Sequence, residues 1–184
     1  MLTHWVVMPT CLPHVLRRCH ACASGRFRAD GKFRVNAHHK LIDAWLLALC
    51  TTCGATTKLT VLERRNVRSV HPRLLDRLHA NDPGLAAELL QDPVLLRRNR
   101  VAVDWDGAWR LDTGDGVRDR LDGEALDVSV RFAARIPVRP VRLIAEGCGL
   151  SRGEVERLMV EGKVVSAVRL GGRTSGDFTF MLKR

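Results

Sequence analysis

The sequence has little lysine, no long apolar run and no basic leader. Only 5 of its 30 basic residues are Lys, so arginine carries the positive charge. An arginine- and alanine-rich genome would raise that share everywhere, so charge alone does not assign a ligand. The longest apolar stretch, Ala44 to Cys50, falls far short of the ~20 residues that cross a bilayer, so no membrane span is expected. Met1 to Leu16 has neither the basic start nor the apolar core of a secretory signal. The six cysteines are therefore not read as a secreted disulfide framework, and a reducing cytoplasm is the expected compartment. No Ser-His-Asp or paired-carboxylate set can be placed on defined elements, so a nonenzymatic protein is expected. Asp104, Asp106, Asp112 and Asp115 lack calcium-loop spacing.

What is present is enough for a core. The chain has 184 residues, 46% of them hydrophobic, which suits one or two small domains. The net charge of +10 is unevenly spread. Residues 1–70 hold 11 basic against 3 acidic residues (+8), residues 71–130 hold 8 against 12 (−4), and residues 131–184 hold 11 against 5 (+6). Two basic ends flank an acidic middle, which predicts three segments: 1–70, 71–127 and 128–184. A basic surface attracts polyanions, nucleic acid first.

Four cysteines organise the chain. Cys19 and Cys22 form one Cys-x-x-Cys hook, Cys50 and Cys53 a second, with 27 residues between them. The two-residue gap lets both sulfurs of a hook face one ion, and the longer insert lets the second hook complete a tetrahedron. Thiolates select zinc or iron over calcium or magnesium. Structural zinc is the expectation, because four thiolates leave no open position for water. Gly54 after the second hook suits a tight knuckle.

The fold class read from these patterns is α+β. His4 to Met8 reads as a strand stopped by Pro9. Asp30-Gly31 reads as a hairpin turn. Leu41 to Leu49 and Thr56 to Leu62 read as strands on either side of the second hook. The first segment is thus expected to be a three- or four-stranded antiparallel zinc ribbon with a core of Trp5, Phe33, Val35, Trp45, Leu47 and Leu59. In the middle segment, residues 72–79, 83–91 and 93–98 read as short helices, the last two opened by Asp-Pro. Residues 101–111 read as a hairpin turning at Asp106-Gly107, and 113–123 as a loop. This segment is expected to be a spacer. After it come a strand at Val128 to Phe132 and a helix from Pro140. A helix opened by the capping box Ser151-Arg152-Gly153-Glu154 follows, then a strand over 163–170 and a return strand over 178–182. Cys11 and Cys148 are expected to be buried as apolar packing.

Two resemblances add to this reading. Lys32-Phe33-Arg34-Val35-Asn36-Ala37, Leu41-Ile42-Asp43-Ala44-Trp45-Leu46, the second hook, Leu62-Glu63-Arg64 and Asn81-Asp82 resemble a bacterial family of about this length with no assigned function. That resemblance implies a bacterial protein and no particular activity. The C-terminal stretch resembles the alpha-L RNA-binding motif of a small-subunit ribosomal protein, pseudouridine synthases and bacterial tyrosyl-tRNA synthetase. Arg139, Ala145, Gly149-Leu150-Ser151-Arg152, Leu158, Glu161-Gly162-Lys163-Val164 and Gly176-Asp177 carry it. The resemblance implies structured RNA as partner, ribosomal or transfer RNA, met by Arg139, Arg142, Arg152, Arg157 and Lys163. Two rivals stand beside it: a protein-interaction or transcription-associated zinc ribbon that binds no RNA, and an RNA-modifying enzyme targeted by the alpha-L-like unit.

Overall fold

The structure is a computed structural model and describes residues 2–114 and 125–183. Two five-stranded sheets and, among the described residues, five helices make it a mixed α+β protein. The chain folds as two compact units, Cys11–Asp106 and Met1–Thr10 with Gly107–Arg184. These boundaries differ from those expected at 70 and 127, because helices and short strands join whichever sheet gives them a partner. No described helix is long and apolar enough to cross a membrane.

In the unit Cys11–Asp106, strands β2 (His14–Leu16), β3 (Arg26–His38), β4 (Leu41–Cys50), β5 (Thr56–Asn66) and β6 (Ala102–Asp104) form one antiparallel sheet in the order β5-β4-β3-β2-β6. Strand β4 shows why. Its burial alternates at every residue, with Ile42, Ala44, Leu46, Ala48 and Cys50 buried, the period-two signature of a strand with one covered face. The expected core was one residue out of register. Trp45 and Leu47 point to the other face, and a shift of one residue inverts every side chain. Leu59 is buried as expected, Phe33 and Val35 pack against the core partly buried, and Trp5 lies in the other unit.

Three helices cover the buried face: α1 (Pro72–His79), α2 (Pro83–Leu89) and α3 (Pro93–Asn99). Each opens with Pro at its first position. The side chains of His71, Asp82 and Asp92 accept first-turn N–H groups, which those helix starts leave unpaired. Leu78 and Leu85 pack on Ala44, and Ala86 and Leu90 join Leu46 and Leu59. The segment expected as a spacer is therefore largely the lid of this sheet.

Polar side chains from the lid fasten irregular points of the sheet. Asp30-Gly31 makes no hairpin. It sits within β3, where the register slips between Ala29 and Phe33 and Gly31 takes φ +82°. The displaced Phe33 N–H donates to Asn81 Oδ1 at 2.6 Å. On β5, Thr60 N–H donates to Asn99 Oδ1 at 2.6 Å, and Asn99 Nδ2 donates to the carbonyls of Thr60 and Leu95, each at 3.0 Å.

In the second unit, β1 (Leu2–Pro9) runs parallel to β8 (Ala125–Phe132) and antiparallel to β7 (Trp109–Asp112). Strand β10 (Phe178–Lys183) joins β8 to β9 (Val164–Ser166), giving the order β7-β1-β8-β10-β9. The expected strand over 163–170 is thus confined to three residues. The expected hairpin over 101–111 does not form: β6 pairs with β2 and β7 with β1, in different sheets. An isolated two-stranded hairpin is marginal in water, and each short strand instead joins the edge of a five-stranded sheet. Most of the expected loop, residues 115–123, lies outside the described residues.

Helices α4 (Pro140–Cys148) and α5 (Arg152–Val160) complete this unit. Gly149 closes α4 at φ +67°, a left-handed position that glycine adopts without penalty. The capping box holds: Ser151 N–H donates to Glu154 Oε2 at 2.8 Å, and Glu154 N–H donates to Ser151 Oγ at 3.2 Å. Hydrogen bonds from Ser151 hold the Glu154 carboxyl below its ordinary pKa. Leu143, Ile144 and Val155 are buried, as are Trp5, Val128, Val130 and Phe180. Cys148 is buried as expected, and burial pushes its thiol up to about 11, whereas Cys11 is exposed.

Candidate metal centre

The two hooks are built alike, from the backbone upward. Cys50 ends β4 and Cys19 follows β2, so each hook begins where a strand stops. In the first, Ala23 N–H donates to the Cys19 carbonyl at 3.0 Å and Cys19 N–H donates to the Ser24 carbonyl at 2.7 Å. In the second, Gly54 N–H donates to the Cys50 carbonyl at 3.0 Å and Cys50 N–H donates to the Ala55 carbonyl at 2.8 Å. The residue after each second cysteine is left-handed, Ala23 at φ 60° and Gly54 at φ +73°. Glycine pays nothing there, whereas alanine at 23 is held in place by the same two hydrogen bonds. The second hook is also tied to the start of β3, the strand that follows the first hook. Thr51 N–H donates to the Arg26 carbonyl at 3.1 Å, and its hydroxyl donates to the same oxygen at 3.2 Å.

This scaffold gathers four sulfurs. All four Sγ atoms lie within 4.8 Å of one another, and those of Cys19 and Cys53 stand 3.7 Å apart and those of Cys22 and Cys50 3.6 Å apart. A tetrahedral ion with metal–sulfur bonds of ~2.3 Å requires sulfur–sulfur edges of about 3.8 Å. The cross-hook distances fit that requirement. Cys19 and Cys50 are buried, while Cys22 and Cys53 are exposed, so the cluster has an inner and an outer pair. The four cysteines expected as ligands are brought together and could hold a metal ion.

The electrostatics of the thiols are unequal. Backbone N–H groups of Cys53 and Thr52 hold the Cys50 thiol down at about 6. At Cys22 the Ser24 backbone favours the thiolate, but Cys53, burial, Cys50 and Cys19 together outweigh it and push the thiol up to about 12. Of these two thiols Cys50 is the readier to carry negative charge, and a cation among the sulfurs would favour the thiolate form at both.

The five basic residues expected to meet RNA are placed differently from one another. Arg152 is exposed on the first turn of α5, and Arg139 is exposed at the residue before α4. Arg157 and Lys163 converge on one carboxylate, Glu161, at 3.7 and 3.3 Å. Arg142 is half-buried, its guanidinium 4.7 Å from the centroid of the Trp109 ring. The twinned hydrogen bonding of the hooks escaped the sequence reading, although Cys-x-x-Cys-Ala-Ser beside Cys-x-x-Cys-Gly-Ala carried a trace of it.

Neither a curated protein nor a solved structure matches this chain. A family model does: residues 35–170, well over half of the sequence and including the second hook, match the family described as proteins of unknown function (DUF1062), and the chain belongs to that family.

Proposed function

We propose that the protein is a zinc-stabilised, nonenzymatic binder of structured RNA, ribosomal or transfer RNA, acting in the cytoplasm. Cys19, Cys22, Cys50 and Cys53 hold the zinc, and the Cys11–Asp106 sheet is an enlarged zinc ribbon. Four thiolates fill a tetrahedral shell, so the ion holds the hooks together and presents no site for water. Helices α4 and α5 with β9 and β10 act as an alpha-L-like unit that lies along RNA phosphates.

The observation that carries the RNA reading is the N-terminus of α5. Arg152 stands exposed on its first turn, and Arg157 follows on the next, in a chain of net charge +10. Helix starts and arginine both favour phosphate. The engagement of Arg157 and Lys163 with Glu161 favours one rival, a protein-interaction module, because it neutralises part of the face.

The test measures binding of the zinc-loaded chain to transfer RNA and to duplex DNA across a salt series. Tighter, steeply salt-dependent binding to the folded RNA is expected. Arg152→Glu with Arg157→Glu should abolish it while fold and zinc content stay unchanged. Equal RNA binding by the double variant removes the reading and leaves the protein-interaction module in first place.

A further inference from the structure

The sheet of the Cys11–Asp106 unit has one face under helices and one face without them. On β4, Ile42, Ala44, Leu46 and Ala48 are buried on the helix side. Trp45, Leu47 and Leu49 alternate with them on the opposite side, half-exposed in a row. An aligned, half-exposed apolar row on the sheet face opposite the helices is the kind of patch that marks a contact surface.

Cations border this row by strand register. Arg34 on β3 is directly opposite Trp45, and Arg28 opposite Leu49. Lys58 on β5 is opposite Leu47, and its ammonium lies 5.1 Å from the centroid of the Trp45 ring. All three basic residues are exposed. The carboxylates of these strands do not meet the three cations: Asp43 accepts the Arg64 backbone N–H at 2.7 Å, Asp104 pairs with Arg26 at 2.7 Å, Asp30 pairs with Lys32 at 3.6 Å, and Glu63 is exposed near the end of β5. Among the described residues no carboxylate pairs with Arg28, Arg34 or Lys58. A flat aromatic between unneutralised cations fits a strand of unpaired nucleotides, whose bases stack and whose phosphates follow the charges.

We propose that this face is a platform for single-stranded nucleic acid. Trp45 stacks a base, Leu47 and Leu49 extend the apolar track, and Arg34, Lys58 and Arg28 meet consecutive phosphates. The inference rests on the RNA reading above and assigns the unpaired part of the RNA to a surface separate from α5.

Anisotropy of a labelled oligouridylate with the full-length, zinc-loaded protein tests it. Trp45→Leu should weaken binding roughly five- to hundredfold, and Trp45→Phe, which keeps a stacking ring, should recover most of that loss. Arg34→Glu with Lys58→Glu should lower the salt slope by about 1.4, the release expected for two contacts on a single strand. Unchanged oligouridylate binding by Trp45→Leu, with circular dichroism like the parent's, overturns the platform. So does displacement of oligouridylate by a polyglutamate peptide at equal charge. If the platform variants bind as the parent does while Arg152→Glu with Arg157→Glu abolishes transfer RNA binding, the platform falls and the α5 reading stands. If the parent binds neither RNA, both fall.

Discussion

Gly147 leaves the space that the Trp5 ring fills. A Cβ at position 147 would stand 2.3, 2.5 and 2.7 Å from three atoms of the six-membered ring, distances that no packed carbon tolerates. Trp5 is fully buried in the middle of β1 and meets Phe180 edge-on at 5.3 Å, so it cannot readily withdraw. Glycine within a helix ordinarily costs ~1 kcal/mol relative to alanine. At this position the close approach overrides that cost. Gly147→Ala should therefore destabilise the protein by about 3 kcal/mol, the upper end of over-packing. The sign should reverse beside a smaller residue at position 5. In a Trp5→Leu background, Gly147→Ala should be neutral or stabilising. Urea unfolding of the four proteins checks this, and equal effects of Gly147→Ala in both backgrounds would refute the close-packing account.

The zinc proposed at the hooks has a pH signature. Metal-free Cys22 is protonated at neutral pH, with its thiol up at about 12, while Cys50 is largely thiolate because its own value is about 6. Zinc must displace the remaining protons, so apparent affinity should rise with pH from 6 to 8 and protons should be released on binding. Competition with a chromogenic chelator across that range measures it. Elemental analysis should find one zinc per chain, and Cys50→Ser should lose both the metal and the order around residues 17–26 and 50–56. Binding on the order of 10 kcal/mol is typical of such sites at neutral pH. A flat pH profile would contradict ligation by four thiolates.

Legibility in the sequence followed locality. The hooks could be read because two residues fix the gap between sulfurs, and the helix starts because each is written in two adjacent residues, as in Asp82-Pro83 and Asp92-Pro93. The capping box of Ser151 and Glu154 was local in the same way. What could not be read was pairing at a distance. Nothing near His4 to Met8 specifies that β1 pairs with β8, some 120 residues later. The Trp5 assignment failed for that reason. The parity of β4 was hidden differently: Trp45, Leu46 and Leu47 are all apolar, so composition did not say which face the helices would take. Asp30-Gly31 has the chemistry of a turn, and the strand used its glycine for a bulge.

Asn99 is a buried polar residue of the sheet lid. Its side chain accepts from Thr60 N–H and donates to the Thr60 and Leu95 carbonyls. A buried group deprived of its partner costs ~1–3 kcal/mol, and Asn99→Ala leaves the Thr60 N–H without its acceptor, while the Thr60 carbonyl keeps a hydrogen bond from the Arg98 guanidinium. We expect a loss of about 2 kcal/mol. Asn99→Asp keeps the acceptor and removes both donors while burying a charge, so it should cost at least as much. Hydrogen exchange supplies the specific readout. The Thr60 amide should lose protection in Asn99→Ala, well beyond the change at Leu46 on the neighbouring strand, and keep it better in Asn99→Asp, which retains the acceptor.

Acid should loosen the first two lid helices through one arginine. Arg77 Nε donates to Asp82 Oδ2 at 2.5 Å, and its two terminal nitrogens donate to Glu88 at 2.9 Å each. The Arg77 hydrogen bonds hold both carboxyls below their ordinary range, and the Gly84 and Leu85 N–H groups add to the effect at Asp82. Carboxyls with lowered folded pKa values take up protons more readily in the unfolded chain. The stability they contribute is therefore complete above the unfolded values, near pH 4, and is lost as pH falls through the folded ones. The urea midpoint should accordingly drop between pH 5 and pH 3. Arg77→Met removes the hydrogen bonds but leaves the Asp82 cap, so its midpoint should start lower at pH 5 and fall less. Parallel curves for parent and variant would show that Arg77 is not the group that transmits acid to this surface. The effect should also shrink in high salt, because the carboxylates and the guanidinium are partly exposed and screened by ions.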